Sequence, residues 1–101
     1  MNLSYELPCE DKYTIYSKSG CINCKKAKIL LEKEEVITID CDDYLIEDKE
    51  SFLSFIKSLN NNIEHKTFPI IFHKKKFIGG YNELLEFYQN QNLFNKLNTD
   101  F

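Results

Sequence analysis

Cys21-Ile22-Asn23-Cys24 is the segment of this chain whose residue types and spacing can do chemistry. Two thiols separated by two residues can close a disulfide, hand electrons to another disulfide, or supply half of a four-ligand zinc site. The zinc reading lacks its second half, because Cys9, Cys41, His65 and His73 stand singly with no paired spacing. A second segment, Thr67-Phe68-Pro69, opens an apolar stretch at a point where proline is tolerated, and a cis Phe68–Pro69 bond would turn backbone polar groups outward. A third, Gly79-Gly80-Tyr81-Asn82-Glu83, gives a tight turn into a helix whose free N–H groups suit a carboxylate, or else a plain turn capped by Asn82.

These residues need elements to hold them. Lys12 to Ser17 is β-branched and aromatic and reads as a short buried strand. Ala27, Leu30 and Leu31 recur at helical spacing, so a helix follows and starts at or near Cys21. At a helix N-terminus the unpaired N–H groups and the positive dipole end favour a thiolate at Cys21, and Lys18 adds a cation three residues earlier. Cys24, one turn along, is placed to attack a mixed disulfide formed on Cys21. Val36 to Asp40 reads as a parallel strand buried on both faces. Phe52, Phe55, Ile56 and Leu59 predict a helix from about Asp48 to Leu59. Pro69 to His73 and Lys76 to Ile78 predict a hairpin with a lysine-rich turn, and Leu84, Leu85 and Tyr88 mark a third helix that Leu93, Phe94 and Leu97 extend or follow.

The expected order is β-α-β-α-β-β-α, an α/β fold with a small four-stranded mixed sheet flanked by helices. Residues 1–11 read as a loosely packed N-terminal extension and 12–101 as the domain. A chain of 101 residues with 43% hydrophobic side chains builds one core, and two domains are excluded. Without an apolar run of membrane-spanning length or a signal-peptide pattern, a soluble, cytoplasmic protein with no membrane partner is expected. A net charge of −3, with no basic stripe, argues against nucleic acid. Cys9 and Cys41 read as passive thiols, and Lys74 to Lys76 as a solvated turn.

Taken together, Lys18-Ser-Gly-Cys-Ile-Asn-Cys24, Thr67-Phe-Pro69 and Ile78-Gly-Gly-Tyr-Asn-Glu-Leu84 resemble the glutaredoxins, over about Lys12 to Tyr88. The resemblance implies a thioredoxin-like fold and a thiol–disulfide exchange enzyme that draws electrons from glutathione as co-substrate. Its substrates would be protein disulfides and glutathionylated thiols, and it would act as a monomer. Cys21 would attack and Cys24, or a second glutathione, would complete the reduction. Thr67, Phe68 and Pro69 would line glutathione, Gly80, Tyr81, Asn82 and Glu83 would hold its γ-glutamyl carboxylate, and Lys18 would meet its glycine carboxylate. Lys66 is a further contact candidate. The family's common Cys-Pro-Tyr-Cys is here Cys-Ile-Asn-Cys, and Asn82-Glu83 replaces the usual pair at the carboxylate site. The missing proline brings in a second reading, a [2Fe-2S] cluster held between two subunits with glutathione as co-ligand. A third reading is a thioredoxin-like partner of one dedicated protein.

Overall fold

The computed structural model describes residues 5–98. Strand β1 (Tyr13–Ser17) is followed by helix α1 (Ile22–Leu30), strand β2 (Val36–Asp40), helix α2 (Asp42–Leu59), the hairpin β3 (Ile70–His73) and β4 (Lys76–Gly79), and helix α3 (Tyr81–Asn98). The expected element order therefore holds. The strands form one mixed sheet in the order β2-β1-β3-β4, with β1 parallel to β2 and antiparallel to β3, and β3 antiparallel to β4.

Alternation along β1 sorts its side chains onto two cores. Tyr16 joins Ile39, Phe52, Ile56, Ile70 and Phe72 beneath α2. Tyr13 and Ile15 join Ala27, Leu31, Ile71 and Leu84 beneath α1 and α3. Every residue of β1 is buried, so this central strand, and not β2, carries the two-sided burial. The β-branched run Val36-Ile37-Thr38-Ile39 does pair in parallel, but it lies at the sheet edge with only Ile39 buried and Ile37 39% exposed.

Helix α2 begins at Asp42, six residues before the expected start. The sheet ladder ends with the Cys41 N–H on the Ser17 carbonyl, the Asp42 N–H then donates to the Asp40 carboxylate, and the chain coils at once. At Asp48 the backbone leaves helical values (φ −161°, ψ 83°), and its carboxylate accepts the Ser51 N–H at 3.0 Å. Asp48 is thus a second N-cap inside α2, and the apolar spacing of Phe52, Phe55, Ile56 and Leu59 reports only the segment after it. Leu93, Phe94 and Leu97 continue α3 and form no separate turn.

The extension is packed more tightly than its composition suggests. Tyr5 sits edge-on to Tyr44 and Phe52 and tilts against Phe55, with its hydroxyl donating to Ser51 Oγ at 2.9 Å. The fully buried Tyr16 donates its hydroxyl to the Glu6 carbonyl at 2.6 Å, and Pro8 is buried. Residues 1–4 of the extension lie outside the described residues.

The β3–β4 turn places Lys74 (φ 50°) and Lys75 (φ 70°) in the left-handed region, which two-residue hairpins with sheet-matched twist require and which side chains other than glycine and asparagine resist. Lys75→Gly is expected to raise stability by about 0.5–1 kcal/mol in urea unfolding, net of the exposed Lys75–Glu10 pair. A loss of stability would mean that the ion pair outweighs the backbone term.

Candidate active site

Three loops meet at the end of β1. The first, Lys18-Ser19-Gly20, needs glycine at its last position, where φ is 70°. It is pinned to the start of α2: Ser19 donates its N–H to one Asp42 carboxylate oxygen at 2.9 Å and its hydroxyl to the other. These two hydrogen bonds, the hydroxyl's first, and the nearby Lys18 hold the Asp42 carboxyl below its ordinary value of 3.8. A depressed carboxyl adds stability above that value and loses it as pH falls through the folded value. Ser19→Ala is therefore expected to flatten the acid side of the stability profile below about pH 4. A profile unchanged from the parent would remove the Ser19 hydroxyl as the cause.

Cys21 is the N-cap of α1. Its sulfur accepts the Cys24 N–H at 3.2 Å, and its carbonyl accepts the Lys25 N–H at 3.3 Å. Cys21 and Cys24 form a disulfide with Cα atoms 5.2 Å apart, a separation within the ordinary range. Their exposure differs. Cys21 is half-buried at the rim, while Cys24 is 1% exposed and packed behind it. In the reduced state the rim sulfur is the one an incoming disulfide can reach, and the Cys24 N–H already points at it.

The second loop carries Thr67, Phe68 and Pro69. The Phe68–Pro69 bond is cis, and the Phe68 carbonyl lies 3.6 Å from Cys21 Sγ. Phe68 stacks on the buried Phe52 (centroids 6.3 Å, planes 14° apart), and the Lys18 ammonium stands 5.5 Å from the Phe68 ring centre. Lys18, Cys21 and Phe68 thus form one rim, with Thr67 exposed beside it and Pro69 buried beneath.

Gly80 opens the third loop, where an added Cβ would lie 3.7 Å from the Pro69 carbonyl. Tyr81 is half-buried, its ring centre 5.7 Å from the Lys26 ammonium on α1. Asn82 and Glu83 are exposed in the first turn of α3. The Glu83 carboxylate turns back to accept the Gly80 N–H at 2.8 Å, so Gly80 is the N-cap and Asn82 lies inside the helix. This is a capping-box return from the third helical position. It gives Glu83 a structural partner and leaves the N–H groups of Tyr81 and Asn82 as donors toward an anion. Glu83→Ala is expected to cost about 1 kcal/mol in urea unfolding, whereas Glu83→Gln, which keeps an acceptor, loses less. Equal losses would make the carboxylate's charge the stabilising element.

Two features near the site have no sequence signal. Lys26 reaches Tyr81 across helices, and His65 places its ring against Phe77 and within 3.9 Å of an added Gly80 Cβ, its Nε2 buried without a hydrogen-bond partner. Both contacts join residues far apart in the chain, beyond the reach of spacing. Lys66 is exposed and pairs with Glu64 at 3.6 Å.

Cys9 and Cys41 are free. Burial, with Asp40 and Asp42 nearby, pushes the Cys41 thiol up to about 12. After reduction of the native protein at pH 7, iodoacetamide is expected to label Cys21 and spare Cys41 until denaturant is added, as read by peptide mass spectrometry. Labelling of Cys41 at a rate like that of Cys21 would contradict its burial.

Among the described residues, no three His, Cys, Asp or Glu side chains converge to hold a metal ion. No described helix is long and apolar enough to cross a membrane.

The glutaredoxin family model matches residues 13–78 of this chain. Glutaredoxin 1 of Rickettsia typhi is 36% identical over 87 residues, covering 84% of this chain and 78% of that protein. Glutaredoxin 1 of Rickettsia bellii is 35% identical over 72 residues, 71% of each. In fold, the chain superposes on glutaredoxin 1 of Francisella tularensis complexed with cacodylate with a TM-score of 0.64 at 28% identity, covering 87% of this chain and 98% of that one. Against a buckwheat glutaredoxin–glutathione complex the TM-score is 0.66 at 22% identity, covering 83% and 74%. A rim thiol paired with a buried one, on a matched sheet and over most of the chain, leads to one conclusion: this chain belongs to the glutaredoxin family of glutathione-dependent thiol–disulfide oxidoreductases.

Proposed function

We propose that Cys21 is the attacking thiol and Cys24 the resolving thiol in the reduction of protein disulfides and glutathione mixed disulfides. The observation that carries this assignment is their unequal burial, with one sulfur at the rim and the other 1% exposed behind it. The Cys21 thiolate attacks a substrate disulfide, a new S–S bond forms, and one substrate sulfur leaves as thiolate and takes a proton from solvent. The Cys24 thiolate then attacks Cys21 Sγ, releasing the second substrate thiolate and leaving the Cys21–Cys24 disulfide. Two glutathione thiols return the two electrons and end as glutathione disulfide.

Glutathione binding is assigned to the rim that surrounds Cys21. Its backbone pairs with Thr67 and Phe68 as a short added strand over Pro69, its glycine carboxylate meets Lys18, and its γ-glutamyl carboxylate lies at Gly80, Tyr81 and Asn82. Glu83 supports that turn by accepting the Gly80 N–H. The proposed protein acts as a monomer in the cytoplasm, where reduced glutathione keeps it charged with electrons.

Glutathione-dependent reduction of a small mixed disulfide, coupled to NADPH oxidation through glutathione reductase, tests the reading. Turnover is expected. Lys18→Ala should raise KM for the mixed disulfide about two- to fivefold, the effect of one exposed charge pair, with a smaller change in kcat. Absence of turnover in a folded, reduced protein would overturn the use of glutathione.

A further inference from the structure

The Cys21–Cys24 pair has a second open side. A cavity of about 320 Å³ lies between α1, β2 and the loop after β1, lined by both cysteines together with Lys18, Lys25, Lys28 and Asp40. None of the segments assigned above to glutathione enters it except Lys18. Phe68 approaches Cys21 elsewhere, through its carbonyl. Of the three lysines, none is ion-paired among the described residues, and α1 has no acidic residue in its first turn. The acidic side chain present, Asp40, already accepts the Asp42 N–H through Oδ1. In a chain of net charge −3, a concave positive site against the reacting sulfurs is a local feature with a local partner.

We infer that this cavity, through Lys25 and Lys28, selects polypeptide disulfides whose cysteine is flanked by an acidic side chain, which enters beside Cys24 while Cys21 attacks the neighbouring sulfur. The inference rests on the thiol–disulfide reading of the Cys21–Cys24 pair and deepens it by naming a substrate class. In the exchange, the substrate S–S bond breaks as the Cys21–substrate S–S bond forms. Resolution by Cys24 then releases the substrate as a dithiol, its two electrons coming from the protein's own pair. The lysines form and break no bond; they hold the acidic flank and shorten the encounter.

The test uses the full chain, reduced and freed of reductant, mixed with two disulfide-bridged peptides that differ only in Glu or Gln beside each cysteine. Exchange is quenched by acid and read by mass spectrometry. At low ionic strength the Glu peptide is expected to react about five- to tenfold faster, the combined effect of two exposed charge pairs. That ratio should fall toward one in 0.5 M salt (roughly a 4 Å screening length) and in the double variant Lys25→Gln, Lys28→Gln. Glutathione-coupled turnover of the mixed disulfide of glutathione and 2-mercaptoethanol should be equal in parent and double variant. A ratio near one in the parent, or one that survives in the double variant, would overturn the inference. So would an equal loss on the glutathione mixed disulfide, which would assign the lysines to glutathione's own carboxylates. Because the peptide exchange uses no glutathione, a parent that prefers the Glu peptide yet fails in the coupled assay would overturn glutathione use and leave this inference standing.

Discussion

Cys21→Ser is expected to abolish glutathione-coupled turnover, by at least about a thousandfold, while leaving the fold intact. The hydroxyl that replaces the thiol can still accept the Cys24 N–H that now reaches Sγ at 3.2 Å, so the cap of α1 survives. What disappears is the nucleophile: an alkoxide is not formed at neutral pH, and Cys24, 1% exposed, cannot meet a substrate in its place. Cys24→Ser should behave differently. It keeps the rim thiol and should retain removal of glutathione from mixed disulfides, because a second glutathione can resolve the intermediate. Reduction of protein disulfides should stall there, and the covalent adduct of Cys21 with its substrate should accumulate and be visible in an intact mass. Equal activity of Cys21→Ser and the parent would overturn the assignment of the attacking sulfur. Loss of both activities in a folded Cys24→Ser would mean that the buried thiol also prepares Cys21 for attack.

How much of this is legible in the sequence depends on the range over which the deciding forces act. The Cys21–Cys24 pair and its place between strand and helix follow from local spacing, and so do Pro69 and the Gly79-Gly80 turn, because each sets its own backbone. The burial of β2 departs from the sequence expectation for a different reason. Four β-branched or apolar residues in a row describe a strand, but whether neighbours cover both faces is decided by strand order, and β2 fell at the edge. The early start of α2 was hidden because its first segment is short: Tyr44 and Leu45 pack on the core, but the break at Asp48 comes before that spacing can repeat, and a hydrogen bond from the Asp42 N–H to Asp40 begins it. Glu83 carries the opposite lesson: a residue that departs from the family's usual pair is explained by a local capping bond to Gly80, a pattern readable three residues apart. The packing of Tyr5 against Phe52 and the cavity holding Lys25 and Lys28 are tertiary facts with no local trace.

Phe52→Ala is expected to have the largest effect on stability, about 3–5 kcal/mol, the range for emptying a buried aromatic site. Phe52 is fully buried and sits at the junction of the extension, α2, the sheet and the active-site rim. Its ring meets Tyr5 at 5.4 Å, Tyr16 at 6.0 Å, Tyr44 at 5.3 Å and Phe68 at 6.3 Å. Truncation removes both the apolar burial and these ring contacts, and the surrounding aromatics are too rigid to collapse into the space. Against a typical total of about 5–15 kcal/mol, such a loss lowers Tm by many degrees and exposes part of the population to unfolding at working temperature. A stability effect alone would not distinguish Phe52 from other core residues, and its contact with Phe68 supplies the distinction. Phe68 holds its carbonyl 3.6 Å from Cys21 Sγ and its ring near Lys18, so loosening Phe52 should also disturb the rim around Cys21. Phe52→Leu, which keeps most of the volume, should cost clearly less in urea unfolding and still raise KM for the glutathione mixed disulfide in the folded protein. A Phe52→Ala protein within about 1 kcal/mol of the parent would show that the two cores are less dependent on this ring than its contacts imply. Phe52→Leu with unchanged KM would confine Phe52 to the core and leave Phe68 positioned by the backbone around Pro69.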